Sequence, residues 1–259
     1  MPTAIRVYQF PPVLDMQPSS FGLKLEMWLR MSGLDYDVEF VTRKMGPKGK
    51  IPFVVVDGRE IGDSEIIIEM LSKKFGVNLD RGLSDEQQAH SILIRRLTEE
   101  HLYFVVVYSR WVDPKGWQTF KSRMFGEVPL LLRKLISGKI QKQVAATVHA
   151  QGISRHSESE IYAKGRADLQ ALSKMLGDKP YFLGAKPTSV DASVYGLLAN
   201  IYFQQDANAL KEILKNFPNL TRYCDRLKAE YWSDAKLGGG EELGFRANEK
   251  PRIMPLKSA

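Results

Sequence analysis

The sequence predicts two structural classes in succession, an α/β unit followed by an all-α unit. Up to about residue 80, short β-rich runs alternate with amphipathic stretches; beyond about residue 84 strand patterns stop and apolar residues return at helical spacing. At 259 residues the chain has room for two modest domains, each able to bury a core. The boundaries read as 1–80 for the mixed unit, 84–235 for the helical one and 236–259 for a glycine- and proline-bearing arm.

The strands of the first unit are "IRVYQF" (Ile5 to Phe10), "YDVEFV" (Tyr36 to Val41) and "FVVVDG" (Phe53 to Gly58), the last followed by the short "REIGD". Between the first two, Phe21, Leu25, Trp28 and Leu29 fall on one stripe of an amphipathic helix. Asp57-Gly58 is a hairpin turn signal, and "SEIIIEMLSKKFG" follows as a second helix ending at Gly76. The order is β-α-β, a loop, β-β-α, which is the thioredoxin-like order. The loop "TRKMGPKGK" has room for a further helical turn.

In the second unit a core helix is expected from Ile92 to Trp111. Further helices are expected over Val128 to Ala150, Glu158 to Leu176, Ser189 to Gln205 and Leu220 to Tyr231. Thr188 followed by Asp191 reads as the acidic form of a capping box.

Composition excludes several classes. The chain is 44% hydrophobic and 26% charged, an ordinary soluble globular profile. No apolar run approaches bilayer length and Met1 to Ile5 does not open a leader, so a cytoplasmic protein without a membrane span is expected. The single cysteine, Cys224, removes any disulfide framework or CxxC motif, and its helical setting predicts a packed core thiol. The four histidines show no HxxxH or HExxH spacing, so no metal site is expected, and His101 beside Glu99 and Glu100 reads as structural. The formal charge of +7 lies beyond residue 83, and Arg110 to Lys142 holds eight basic residues against Asp113 and Glu127. Without a nucleic-acid motif this reads as a solvated helix face, and no nucleic-acid partner is expected.

The stretch "PSSFGLKLE" (Pro18 to Glu26) places two hydroxyls at a helix start and a glycine in its first turn, where glycine costs about 1 kcal/mol against alanine. Three motifs here resemble the glutathione transferase superfamily. "SSFGLK" is similar to the Ser-Pro-Phe-x-x-Arg/Lys opening of the tau-like classes. "GKIPFVVVDGREIGDSEIII" is similar to the Lys-Ile-Pro strand, hairpin and acidic-Ser pair of the glutathione site, and the Thr188 to Asp191 cap lies where the superfamily keeps one. A closer likeness is to the failed-axon-connections and metaxin-like branch, through "LKLEMWLRMSGLDYDVEF", "EEHLYFVVVYSRWVD" and "NLTRYCDRLKAEYW".

The resemblance implies glutathione as co-substrate, a small hydrophobic electrophile and a homodimer. It assigns thiolate support to Ser19, with Ser20 as the fallback, because a hydroxyl and a helix N-terminus both favour the anion of a thiol whose free pKa is about 8.5. It implies a cis Ile51–Pro52 bond with Ile51 pairing to the cysteinyl backbone, Ser64 and Asp63 on the γ-glutamyl end, and Lys50 or Lys44 on the glycyl carboxylate. Phe21, Tyr103, Tyr108 and Trp111 are the candidates for the electrophile's wall. Since metaxins act in mitochondrial import rather than as enzymes, the alternative is a non-catalytic interaction module whose glutathione site is vestigial.

Overall fold

A computed structural model describes residues 5–12, 17–42, 44–126, 128–204 and 208–232; the arm expected over 236–259 lies outside the described residues. Four short strands form one mixed sheet: β1 (Ile5–Gln9), β2 (Tyr36–Phe40), β3 (Phe53–Val56) and β4 (Arg59–Gly62), in the order β2-β1-β3-β4. β1 and β2 run parallel around helix α1 (Ser20–Ser32), while β3 is antiparallel to both β1 and β4. Asp57 and Gly58 both take positive φ, as a two-residue turn between β3 and β4 requires. Helix α2 (Ser64–Phe75) closes the unit. The loop before β3 holds a tight turn closed by Gly49 N–H on the Gly46 carbonyl at 2.8 Å, and its described residues contain no helix. Proline and three glycines leave too few helix formers there to nucleate one.

The all-helical part follows. The single helix expected over Ile92 to Trp111 is longer and interrupted: α3 (Asp85–Arg96) and α4 (Tyr103–Trp111) are joined without a break by a π-helical segment, Leu97–Leu102. Ser84 caps α3 in a reciprocal capping box with Gln87. Then come α5 (Pro114–Met124), α6 (Leu130–Gln151), α7 (Glu158–Leu176), α8 (Ser189–Tyr202), α9 (Ala209–Lys215) and α10 (Pro218–Tyr231). Helices α5 and α9 go beyond the sequence expectation, being short and cut off by loops. Cys224 is fully buried in α10, as its pattern predicted, and burial pushes its thiol pKa well up. His101 is structural too: its Nδ1 lies 2.5 Å from the Asp168 carboxylate on α7. Among the described residues no helix is long and apolar enough to cross a membrane.

The core is continuous through both parts because α1 is shared between them. Leu23, Leu25, Met27, Trp28 and Leu29 are all fully buried, so α1 is apolar on more sides than a surface helix needs. It packs on α8, whose residues from Val190 to Ile201 are all buried. Contact is closest at Gly196, where a Cβ would lie 2.5 Å from the Ser20 carbonyl oxygen and 2.8 Å from Lys24 N. Polar groups stitch the same seam: Trp28 Nε1 donates to Ser189 Oγ (3.3 Å), and Arg30 Nη1 donates to the Tyr231 carbonyl (2.8 Å) while lying over the Trp232 ring. The start of α8 is fixed by Asp191, whose carboxylate accepts from Thr188 N and Oγ1, Phe182 N and Tyr223 OH.

Helix backbone cannot retreat as a flexible side chain can. Gly196→Ala is therefore expected to lower unfolding free energy by about 1–3 kcal/mol in urea denaturation, despite alanine's better helix propensity. An unchanged midpoint would show that α1 and α8 are not in backbone contact.

Candidate functional site

The sheet register gathers the predicted residues at one edge. Phe53 pairs with Tyr8 of β1 and with Gly62 of β4. Carried one residue further, the same register sets Pro52 beside Gln9 and across from Asp63. Chain leaving β1 at this edge leads to Ser19, and chain leaving β4 leads to Ser64, so the N-termini of α1 and α2 both open here. Each carries partial positive charge on amides that lack partners inside the helix. The Ile51–Pro52 bond is cis, as the resemblance implied, and both residues are buried.

Ser19 is the N-cap of α1. Its Oγ accepts from Gly22 N–H (3.1 Å) and its backbone N–H donates to Gln17 Oε1 (3.2 Å). Capping uses the lone pairs of the hydroxyl and leaves its proton to be donated. Ser20, one residue on, is buried and faces the helical side rather than the sheet edge. Gly22 has a local reason: a Cβ there would come within 3.0 Å of Gln9 Oε1 and 3.2 Å of Gln17 Cγ and Cδ. The absent side chain makes room for the glutamine that holds Ser19.

At α2, Asp63 is the N-cap, with its Oδ1 accepting from Glu65 N (3.0 Å) and Ile66 N (3.4 Å). Its φ of 79° lies in the left-handed region, costly for a residue with a side chain, and such outliers gather at functional sites. Ser64 is buried at the first position of the helix. Asp63 thus spends one carboxylate oxygen on its own helix, a role the sequence reading did not give it.

The lysines divide. Lys44 pairs with Glu60 at 2.7 Å and lies 4.6 Å above the Tyr8 ring; Glu60 raises its pKa. The assignment of Lys44 to a ligand carboxylate is thereby corrected, since that carboxylate would have to displace an ion pair. Lys50 is exposed next to Ile51 at the site's edge.

The aromatic candidates divide as well. Phe21 and Tyr103 pack on each other with centroids 5.0 Å apart. They line a small cleft with Ser20, Lys24, Glu99, Ser193 and Leu197, about 180 Å³ including its open mouth. Tyr108 turns elsewhere, edge-on to Tyr162 at 6.1 Å, and Trp111 stacks on Trp117 at 5.4 Å. The structure does not bring Tyr108 or Trp111 to this cleft: residues five and eight positions along the helix from Tyr103 point to other packing faces. Beneath the cleft Lys24 and Glu99 form an ion pair of 2.6 Å, with side chains 3% and 15% exposed.

Sequence reasoning missed one part of the site, the clamp from the helical side. Arg110, expected on a solvated face, is buried; Nη1 donates to the Pro18 carbonyl (3.1 Å), and Nη2 to the Asn200 carbonyl (2.6 Å) and side-chain oxygen. Asn200 Nδ2 donates to the Gln17 carbonyl (2.7 Å), and Gln17 Nε2 to the Phe10 carbonyl (2.7 Å). The segment ahead of Ser19 is thus held from β1 and from α4 and α8 together. Burial lowers the Arg110 guanidinium to about 10, so it keeps its charge at neutral pH. A polar asparagine in the apolar run "VYGLLANIYF" was the available signal.

Comparison with known proteins gives this geometry its place. Residues 20–116 match the glutathione S-transferase N-terminal domain model and residues 165–227 the glutathione S-transferase C-terminal domain model. The isoprene-epoxide–glutathione S-transferase of Rhodococcus sp. (strain AD45) is 34% identical over 240 residues, covering 88% of this chain and 99% of that one. The chain belongs to the glutathione transferase superfamily. Within it the chain falls with the branch of Failed axon connections and the metaxins. Failed axon connections of Drosophila melanogaster is 34% identical, over 89% of this chain and 58% of its own length, and human metaxin-2 is 28% identical over 86% of each. Among solved structures, beta-etherase LigF from Sphingobium sp. strain SYK-6 superposes with a TM-score of 0.63 at 17% identity, covering 89% of this chain and 99% of that one. The superfamily fold, a mixed four-stranded unit followed by helices, is the one described above.

The clamp carries an expectation of its own. Arg110→Met leaves the Pro18 and Asn200 carbonyls without their donor, and is expected to cost about 2–4 kcal/mol. Hydrogen exchange at the Ser19 and Ser20 amides should quicken, and Arg110→Lys should recover part of both losses. Exchange unchanged in Arg110→Met would show that the clamp does not hold the loop.

Proposed function

We propose that the sheet edge binds glutathione and that the Ser19 hydroxyl supports its thiolate in attack on a small electrophile. The observation that carries the reading is the capped but still proton-bearing Ser19 hydroxyl at the N-terminus of α1, on the same edge as cis Ile51–Pro52. Ile51 would pair with the cysteinyl backbone. Ser64 and the α2 amides would take the γ-glutamyl carboxylate by the physics of anions at helix N-termini. Asp63 keeps one oxygen for the α-amino group, and Lys50 faces the glycyl end.

A three-membered cyclic ether is the electrophile favoured here, supported by the Rhodococcus relative named for an isoprene epoxide and by a cleft too small for a drug-sized molecule. Thiolate sulfur attacks a ring carbon, the carbon–oxygen bond breaks, and the alkoxide takes a proton. Tyr103 lines the cleft, and burial pushes its phenol pKa up, so it holds that proton at neutral pH. The protein would supply a deprotonated thiol and proximity. Working as a cytosolic homodimer belongs to the same reading; exposed Ile66 and Ile92 lie near the Glu65–Arg95 bridge between α2 and α3, as candidate contacts.

A second reading, a metaxin-like interaction module with a vestigial site, is favoured by the closed Lys44–Glu60 pair, which leaves the glycyl end of the site with one lysine fewer. Calorimetry separates the two. Glutathione is expected to bind at millimolar strength or tighter, about −4 kcal/mol or better, and Ser64→Ala to weaken it roughly tenfold. Ser19→Ala should slow conjugation of a small epoxide by about a hundredfold with a smaller change in glutathione affinity. No heat of binding with glutathione would overturn the proposal, and binding without turnover on an electrophile panel would leave the interaction module.

A further inference from the structure

The net charge of this protein sits in one part of the chain. Residues 114–157 contain eight Lys and Arg and one acidic residue, Glu127, while the whole chain has 37 and 30. Everything outside that stretch is balanced, 29 against 29. The stretch contains α5 and α6, and α6, from Leu130 to Gln151, has no Asp or Glu at all.

The same helix carries apolar side chains that the fold does not cover. Leu132, Leu135 and Ile136 are 52%, 71% and 42% exposed. Spaced i, i+3 and i+4, they form one patch near the N-terminal end of α6. Lys139 and Lys142, both exposed, continue the same face one turn further along, and Lys134 flanks it. Arg133 is committed inward, its guanidinium donating to the Gly126 and Val128 carbonyls, which fixes the start of the helix. An aliphatic tip with lysines behind it is the pattern of a helix that lies in a membrane interface, apolar groups among the acyl chains and ammonium groups at the headgroups.

We propose that this end of α6 docks the protein on an anionic lipid surface. Charge selects the occupant: each lysine near such a surface adds about 1 kcal/mol, and the excess is concentrated where the apolar tip would enter. A nucleic acid would use the lysines but has no place for three aliphatic side chains. A second copy packed through the same patch would set one positive stretch against its twin. The inference does not depend on the glutathione site.

The test is flotation of the full-length chain with vesicles of phosphatidylcholine alone or with one third phosphatidylglycerol. The protein is expected to float with the anionic vesicles, to stay behind with the neutral ones, and to be released by salt as screening shortens. The surface variant Leu132→Ser/Leu135→Ser/Ile136→Ser should abolish flotation. Lys139→Glu/Lys142→Glu should weaken binding tenfold or more, by about one decade per 1.4 kcal/mol, with thermal melts unchanged in both. Failure to float, or flotation untouched by the serine variant, would overturn the proposal. So would equal capture by duplex DNA, or a wild-type dimer that sedimentation shows falling apart in the serine variant.

Discussion

Backbone contact between α1 and α8 is the constraint on which the remainder of this structure depends. With Gly196 against the Ser20 carbonyl, the helix that follows β1 is also the helix on which the all-helical part is built. A four-stranded sheet with strands of four or five residues is small, and its apolar face alone would not hold a lone helix firmly. Sandwiched between sheet and α8, α1 loses its solvent face, and side chains such as Lys24 and Glu26 are buried with it. Each then needs a specific partner: Lys24 takes Glu99, and Glu26 accepts from Gln9 Nε2 and the Tyr36 hydroxyl.

The site at the sheet edge inherits its rigidity from that arrangement. Ser19 and Asp63 cap the helices whose N-termini open the site, so the residues that would meet a ligand first terminate secondary structure. The loop ahead of Ser19 is held from three elements by Gln17, Asn200 and Arg110, and every one of those bonds runs to a backbone carbonyl or amide rather than to another charge. Such bonds fix position without neutralising the guanidinium, which leaves a charged group close to the start of α1.

Much of the fold was legible in the sequence because its signals are local. Period changed near residue 80, Asp57-Gly58 marked the hairpin, and the expected helix from Glu158 to Leu176 is α7 to the residue. Ser19, Pro52 and Ser64 were legible through their motifs, and the register brings them to one edge. What was not legible depends on partners distant in the chain. Arg110 sits among basic residues and reads as solvated until α8 supplies Asn200. Lys44 reads as available until β4 supplies Glu60. Tyr108 and Trp111 share a helix with Tyr103, and only their phase around it tells which way they turn. That phase was out of reach because the helix is not uniformly α.

The π-helical segment between Leu97 and Leu102 therefore bears on how this chain can vary in length. It accommodates one more residue than an α-helical turn and so sets the angular offset between α3 and α4. Removal of one residue would return the segment to α-helical winding and swing all that follows by about 100°. Tyr103 would leave Phe21, and Arg110 would leave Pro18. Point substitutions on the outer face of this helix leave that offset alone, whereas a single-codon deletion anywhere along it undoes the clamp. Sequences that share the clamp are thus bound to share the residue count between Ile94 and Arg110, even where their side chains diverge.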